Sequence, residues 1–142
     1  MIAGIASLIF IPLLAISMVH VMWAFGSTWP VSDQKTLART VTGFQGAERM
    51  PPRLLSALVA VLALVAGIWA LSLSGPERDP VLVGGGVLLG LVFLARGIAG
   101  FTAWWRRLTP EEPFATFDKK VYSPLSLCIG LGFLFLTIWR FL

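Results

Sequence analysis

Residues 54–74 read LLSALVAVLALVAGIWALSLS, and this stretch contains no charged side chain. A helix of about 20 residues, rising 1.5 Å per residue, spans about 30 Å, which is the thickness of the hydrocarbon core of a bilayer. Lipid offers no hydrogen-bonding partner to a backbone amide or carbonyl, so a spanning segment must satisfy these groups internally, as a helix does. The stretch therefore predicts a transmembrane helix.

The sequence contains three other long apolar runs, at residues 2–25, 81–105 and 121–142. Their only charged residues are Arg96 and Arg140. No basic segment precedes residues 2–25, so we interpret this run as a retained helix rather than a signal peptide. Together with residues 54–74, the runs predict an all-α, antiparallel four-helix bundle. We expect residues 1–142 to form a single transmembrane domain.

The overall composition agrees with a chain that is solvated by lipid. Of its 142 residues, 57% are hydrophobic and only 13% are charged, and the mean hydropathy is +0.86. Soluble domains usually carry about 25% charged residues, so the composition argues against a soluble globular enzyme. A single Cys excludes an internal disulfide, and a single His excludes a multi-histidine metal site. We expect no metal site and no cofactor.

The basic residues are concentrated in two of the connections between the runs. Residues 26–53 and residues 106–120 each contain four Lys or Arg, whereas residues 75–80 and the C-terminal end contain one each. Basic loops remain in the cytoplasm, so both termini should lie on the other side, as expected for a multi-pass protein of a bacterial inner membrane. Acidic residues are interleaved with the basic ones, which argues against a nucleic-acid partner.

Ionisable residues within a span are rare and costly, so they are the first candidates for a functional site. Arg96 is about nine residues from the end of its run, at a depth of roughly 13 Å. It could anchor an anionic or polar ligand, or it could be a structural arginine that reaches the interface. His20, with Trp23 one turn further on, could be an acid or base, a proton relay or a ligand contact, or only a core histidine bonded to a carbonyl.

Asp118 and Tyr122 lie where the fourth run begins, at the same end of the bundle as His20, Trp23 and Arg96. Asp118 is a candidate partner for Arg96, and Glu48 is the competing one. We therefore expect a polar site in the cytoplasmic half, with ligand-binding candidates His20, Trp23, Arg96, Asp118 and Tyr122. Tryptophans at run ends, namely Trp104, Trp105 and Trp139, are typical of an interfacial aromatic belt.

Three stretches resemble the signatures of a bacterial family of small four-helix integral membrane proteins of unknown function. HVMWAFG at residues 20–26 resembles H-V-x-W-A-x-G, RGIAGF at residues 96–101 resembles R-A-x-G-D-F, and FATFDKKVYSPL at residues 114–125 resembles F-A-x-x-D-x-x-x-Y-S-P-L. The resemblance implies the fold and brings no assigned activity. Gly100 replaces an expected acid and Ser126 an expected Cys. The first departure leaves Asp118, Glu48 or an anionic ligand to neutralise Arg96.

Three functions fit these observations. The chain could bind or carry an amphipathic or anionic small molecule or a membrane lipid, with Arg96 holding the head group and Trp23 the apolar part. It could be an intramembrane enzyme on a lipid or isoprenoid substrate, with His20 as the catalytic acid or base, oriented by Tyr122 or Asp118. It could also be a structural accessory subunit. A four-helix chain is small for a transporter, so transport would need a homo-oligomer, for which the glycine face of residues 86–90 is a candidate contact.

Overall fold

The computed structural model describes residues 1–76 and 79–141, and every regular element within these ranges is a helix. Four helices are long and apolar enough to cross a membrane, with mean hydropathies between 1.9 and 2.6 over their most apolar windows. They are α1 (Ile2–Ala24), α3 (Arg53–Ser72), α4 (Pro80–Ala99) and a fourth span from Phe114 to Trp139. The predicted all-α four-helix membrane protein is confirmed.

The third span ends earlier than the prediction of residue 105. The helix stops at Ala99, and a short helix, α5 (Ala103–Leu108), follows a bend; the Oγ1 of Thr102 caps α5 by accepting from the backbone N–H of Trp105 at 3.2 Å. Arg96 consequently lies in the last turn of α4, about 4.5 Å from its end rather than 13 Å. The predicted depth was wrong, and the position is favourable because helix carbonyls at a C-terminus attract a cation.

The fourth span begins earlier than the predicted residue 121. A short helix, α6 (Phe114–Phe117), continues through a π-helical turn (Asp118–Tyr122) into α7 (Ser123–Trp139). Charged residues at 118–120 end the apolar run in the sequence, but they do not end the helix, because Lys119 and Lys120 are exposed and Asp118 is buried among partners.

The long connection after α1 is not entirely irregular, since it contains α2 (Gln34–Val41). Asp33 caps this helix, its carboxylate accepting from the backbone N–H of Thr36 at 2.9 Å and from the Thr36 hydroxyl at 2.8 Å. These hydrogen bonds favour the ionised carboxylate and lower the pKa of Asp33 below its ordinary value.

The four spans form two closely packed pairs, α1 with α3 and α4 with α7. The hydrophobic core lies towards the end of the bundle that carries the termini, where Ile9 and Leu13 of α1 meet Phe133 and Leu136 of α7. We call the opposite end, formed by residues 25–53 and 100–122, the loop end. The short connection between α3 and α4 includes Glu77 and Arg78, which lie outside the described residues.

The glycines of α4 are used for packing within the chain. A Cβ added at Gly90 would lie 2.7 Å from the side chain of Leu134 and 3.3 Å from the carbonyl oxygen of Gly130, both on α7, and Gly86 and Gly97 are similarly covered by α7. Small residues allow two membrane helices to approach closely, which is how this face serves the α4–α7 pair. The glycine face is therefore covered within the chain by α7, and the homo-oligomer stays a prediction.

Candidate functional site

The π-helical turn at the start of the fourth span brings two polar side chains together. Its backbone N–H at Ser123 bonds to the carbonyl of Asp118, five residues earlier. In an α-helix residues three and four apart are neighbours, whereas this wider turn aligns residues five apart. The hydroxyl of Ser123 can therefore donate to Oδ1 of Asp118 at 3.1 Å. Both side chains are fully buried.

Asp118 accepts hydrogen bonds from three different parts of the chain. Nη2 of Arg96 donates to Oδ1 at 2.6 Å, and Nε1 of Trp105 donates to Oδ2 at 3.0 Å. The Arg96 guanidinium also donates to the Ser123 hydroxyl at 3.3 Å and lies 4.9 Å from the centre of the Trp105 ring, close enough for a cation–π contact. The carboxylate thus links α4, α5 and the fourth span.

A second arginine also approaches the same carboxylate. Nη2 of Arg106 lies 3.9 Å from Oδ2 of Asp118, and its Nη1 donates to the carbonyl of Ala115 at 2.6 Å. Two guanidinium groups and one carboxylate leave the cluster with a net charge of about +1. The competing partner, Glu48, lies elsewhere: Nζ of Lys35 is 3.1 Å from its Oε1, and this hydrogen bond lowers the pKa of Glu48. Asp118 is therefore the ion-pair partner of Arg96.

Gly100, which follows the last residue of α4, packs directly against this cluster. A Cβ built there would overlap the hydroxyl of Ser123 and lie 3.0 Å from Oδ2 of Asp118. The space that an acidic side chain would need at residue 100 is thus occupied by Ser123 and Asp118. The carboxylate of Asp118 supplies the negative charge that residue 100 lacks.

A cavity of about 500 Å³ lies beside this cluster, between the loop-end halves of α1 and the fourth span. Its walls are mostly apolar and include Ile16, Val19, Phe93, Leu125 and Ile129. Its polar lining consists of His20, Trp23, Arg96, Tyr122 and Ser126, and it is partly open to the surface. The cavity exists because α1 and α7 meet near Ile9 and Gly132 at the other end of the bundle, whereas their loop-end halves are separated.

The polar groups of the cavity are held by neighbouring backbone. Nδ1 of His20 lies 2.8 Å from the carbonyl oxygen of Ile16, so this nitrogen carries the proton and Nε2 is left as an acceptor in the neutral ring. The His20 ring lies 4.6 Å from the ring of Trp23, whose Nε1 donates to the carbonyl of Trp29 at 2.8 Å. The hydroxyl of Tyr122 donates to the carbonyl of Thr40, just before the end of α2, at 3.4 Å.

The family model for DUF3995, described as a protein of unknown function, matches residues 13–133. The chain belongs to the DUF3995 family. No curated protein and no solved structure matches it. The matched range contains the cavity and the Asp118 cluster, so both lie within the DUF3995 domain, to which no activity is attached.

The structure brings four of the five predicted site residues of this DUF3995 chain to one cavity, namely His20, Trp23, Arg96 and Tyr122. The fifth, Asp118, has no exposed surface and does not line the cavity, so it holds Arg96 rather than contacting a ligand. In the described part of the chain, Asp118 makes no hydrogen bond to His20. Its contacts therefore do not orient His20, as the enzyme hypothesis would require.

Sequence reasoning missed the role of two residues near the carboxylate. The sequence predicts an interfacial belt position for Trp105, whereas its indole N–H donates to Asp118, and Arg106 appears in the sequence only as one of the loop charges, whereas its Nη2 lies 3.9 Å from that carboxylate. No periodic pattern signals either contact, because both depend on the bend after Ala99 that turns α5 back over the π-helical turn. Within the described ranges, no group of three or more His, Cys, Asp or Glu side chains is placed so that it could hold a metal ion.

Proposed function

We propose that this DUF3995 protein binds an amphipathic membrane molecule, with its apolar chain in the cavity between α1 and the fourth span and its polar head at Arg96 and His20. The observation that carries the proposal is the composition of the cavity wall. Apolar side chains form most of it, and the few polar groups are gathered around His20, Arg96 and Tyr122. A mostly apolar cleft with a few convergent polar groups is the usual form of a small-molecule site.

The size and location of the cavity support a ligand that enters from the lipid. Small-molecule sites usually enclose about 300–1,000 Å³, and this cavity falls within that range. It lies between two spans that separate at this end of the bundle, so an acyl or isoprenoid chain can reach it from the bilayer without crossing the hydrocarbon–water boundary. Entry from lipid also explains why the cavity is bordered by residues such as Ala15 and Val121, which are exposed on the surface of the spans.

Arg96 and His20 present complementary hydrogen-bonding groups to a ligand head. Two of the five N–H donors of Arg96 are used by Asp118 and Ser123, and its side chain remains 32% exposed. Arg106, beside the same carboxylate, keeps the cluster net positive, so the head group would be a neutral acceptor or an anion such as a carboxylate. Nε2 of His20 accepts a hydrogen bond from a hydroxyl or a protonated acid.

The experiment uses palmitic acid carrying a diazirine in its chain, irradiated with the full-length protein in neutral detergent, with labelled positions mapped by mass spectrometry. Ala15→Phe places a ring in the cavity and should reduce labelling of residues 121–129 at least fivefold. Ala3→Phe adds the same ring to the other end of α1 and is the matched control, expected to leave labelling unchanged. Equal labelling of wild type and Ala15→Phe would refute the cavity as the binding site.

A second variant tests the polar head without enlarging any side chain. Among the described residues His20 hydrogen-bonds to the carbonyl of Ile16 in its own helix, so His20→Ala should leave the folded yield near that of the wild type. Removing the Nε2 acceptor should weaken labelling by palmitic acid in its protonated form, whose O–H can donate to Nε2, and methyl palmitate carrying the same diazirine, which has no O–H, should be affected less. Aggregation of both His20→Ala and Arg96→Ala would instead favour the purely structural function.

We further propose that the protein lies in a bacterial inner membrane with its loop end in the cytoplasm and both termini outside. The support is the distribution of eight Lys and Arg over residues 26–53 and 106–120, against one each in residues 75–80 and at the C-terminal end of the sequence. Fusing alkaline phosphatase to residue 142 should give an active enzyme in the periplasm, and fusing it after residue 120 should not. The reverse pattern would overturn the orientation.

A further inference from the structure

We propose that the end of the bundle that carries the termini contains a phosphate-binding site, in which the guanidinium of Arg140 holds the phosphate group. A cavity of about 330 Å³ lies there, and Trp139 and Arg140, at the end of α7, form part of its wall. The rest of the lining is Ile2 at the start of α1 and the residues that follow α3, namely Leu73, Ser74, Gly75 and Pro76. This cavity shares no lining residue with the apolar cavity at the loop end, so the two sites are independent of each other.

The guanidinium of Arg140 is buried and anchored on one side. The residue is only 8% exposed, and its Nη1 donates to the carbonyl oxygens of Leu73 at 2.8 Å and Ser72 at 3.3 Å, where α3 ends. Carbonyls at the C-terminal end of a helix have no partner one turn further on, so a cation beside them is favourable. This contact fixes the guanidinium at the cavity, but it uses only one of the three nitrogens.

The other two nitrogens of Arg140 are the observation that points to a ligand. Nε and Nη2 are buried and have no hydrogen-bond partner within the described residues. Arg140 also takes part in none of the ion pairs of these residues. Buried donors are almost always hydrogen-bonded and buried charges are usually paired, so these two nitrogens indicate a site for an acceptor of negative charge.

The two unpartnered nitrogens lie on the same edge of the guanidinium. Nη1 is by definition on the side of Cδ, so the N–H of Nε and one N–H of Nη2 point in parallel away from the anchored side. Such a parallel pair matches two oxygens of one carboxylate or phosphate, which accept both hydrogen bonds together. The anchored side thus presents the edge of arginine that is best suited to an oxyanion.

The wall of the cavity determines how an anion reaches this edge. Nε and Nη2 have almost no exposed surface, so part of the wall must move aside when an anion bonds to them. Ser74, Gly75 and Pro76 follow the last residue of α3 and can move without breaking a helix. No carboxylate of the described residues lines the cavity, so no negative charge there repels the anion.

The position of the cavity favours phosphate over carboxylate. The ends of three spans border it, since α1 begins at Ile2, α3 ends at Ser72 and α7 ends at Trp139. Span ends lie where the hydrocarbon gives way to lipid head groups, and tryptophan is enriched at that level. Phosphate is the oxyanion that phospholipid head groups present there.

Either a phospholipid head group or a soluble phosphate compound could supply the phosphate, and two probes distinguish these sources. Inorganic phosphate is titrated into the full chain in a neutral, phosphorus-free detergent and followed by phosphorus NMR. Dioctanoyl phosphatidic acid is compared by native mass spectrometry with dioctanoylglycerol, which has the same tails and no phosphate. The wild type should bind phosphatidic acid more tightly than dioctanoylglycerol, or bind inorganic phosphate.

Arg140→Lys separates the paired donors from the charge. The substitution keeps the positive charge and a donor for the carbonyls that end α3, but it removes the parallel N–H pair. It should weaken phosphate binding about tenfold, whereas attraction between charges alone would leave binding unchanged. Arg107→Gln is the control for such attraction, because it removes an exposed charge that lines neither cavity, and it should change binding less than about twofold.

A second pair of variants leaves Arg140 in place and decides if Arg140→Lys does not fold. Ile2→Trp enlarges a side chain that lines the cavity and should weaken phosphate binding at least about fivefold. Ile11→Trp makes the same change on α1 at a residue that is 61% exposed and outside the cavity, so it should have no effect. Equal binding by these two variants would place the phosphate elsewhere and overturn the proposal.

Binding of phosphatidic acid but not of inorganic phosphate assigns the site to a lipid head group, and binding of inorganic phosphate assigns it to a soluble phosphate compound. Failure of both probes to bind, or equal binding by the wild type and Arg140→Lys, would overturn the proposal. So would binding seen only in Glu77→Gln, because the carboxylate one residue after Pro76 in the sequence would then be the partner of Arg140. Ala15→Phe should leave phosphate binding intact, so this site and the palmitate site can fail independently.

Discussion

Replacing Asp118 with Asn is the most direct test of the polar cluster. The substitution keeps the shape of the side chain and one acceptor oxygen, but it removes the negative charge that Arg96 contacts at 2.6 Å and Arg106 approaches at 3.9 Å. Two cations would then face each other without a carboxylate between them. We expect the variant to be markedly less stable than the wild type.

The magnitude follows from the burial of the three groups. Removing one partner from a buried ion pair costs about 3–5 kcal/mol, because the other charge remains buried and unpaired. Here Asp118 is fully buried, but the side chains of Arg96 and Arg106 are 32% and 26% exposed, so part of the uncompensated charge can be solvated. We therefore expect a loss of about 2–3 kcal/mol, below the range for a fully buried pair.

The assay is reversible unfolding in mixed micelles with increasing dodecyl sulfate, followed by circular dichroism. Glu111→Gln is the matched control, since it also neutralises a carboxylate at an arginine: Nε of Arg39 lies 3.5 Å from Glu111, and this pair is more exposed. It should cost less than about 1 kcal/mol.

A double-mutant cycle then isolates the ion pair. Arg96→Gln should cost at least about 1 kcal/mol less when Asp118 is already Asn than in the wild-type background. If Asp118→Asn is no more destabilising than Glu111→Gln, or if the effects of the two substitutions simply add, the cluster does not hold the bundle in the way described.

Two further predictions concern single positions. Gly100→Ala should destabilise the protein by about 1–3 kcal/mol in the same assay, because the new methyl group would overlap the Ser123 hydroxyl. The control is Gly4→Ala, where a Cβ would have nothing within 4 Å and should cause no loss of stability. Equal effects of the two substitutions would contradict the close approach at Gly100. The stability of the α2 cap should depend on pH, because the pKa of Asp33 is lower in the folded than in the unfolded protein. The stabilisation by the Asp33 carboxylate is present above the unfolded-state pKa and is lost as the pH falls through the folded-state pKa. Hydrogen exchange of the Thr36 amide, corrected for the intrinsic rate, should lose protection over that acidic range, and Asp33→Asn should remove the pH dependence; protection that is unchanged in acid would refute it.

The sequence predicted the number and type of the spans well, since uncharged runs of about 20 residues have only one stable form in lipid. It predicted their ends less well. Arg96 was placed deep in a helix extending to residue 105, whereas the helix ends at Ala99. The apolar run continues through the bend into α5. A hydropathy profile therefore contains no signal that the backbone changes direction after Ala99.

Candidate site residues were identified from the same principle, because a histidine or an arginine within an apolar run is conspicuous. The sequence alone thus determined the class of protein, its four spans and the concentration of polar residues at one end. Only the tertiary structure decided that Asp118 rather than Glu48 pairs with Arg96, and that Asp118 lies behind the cavity while His20, Trp23 and Tyr122 line it. Hydropathy is a sum along the chain, whereas these contacts depend on a π-helical turn, a bend and a glycine at residue 100 that bring distant segments within hydrogen-bonding distance.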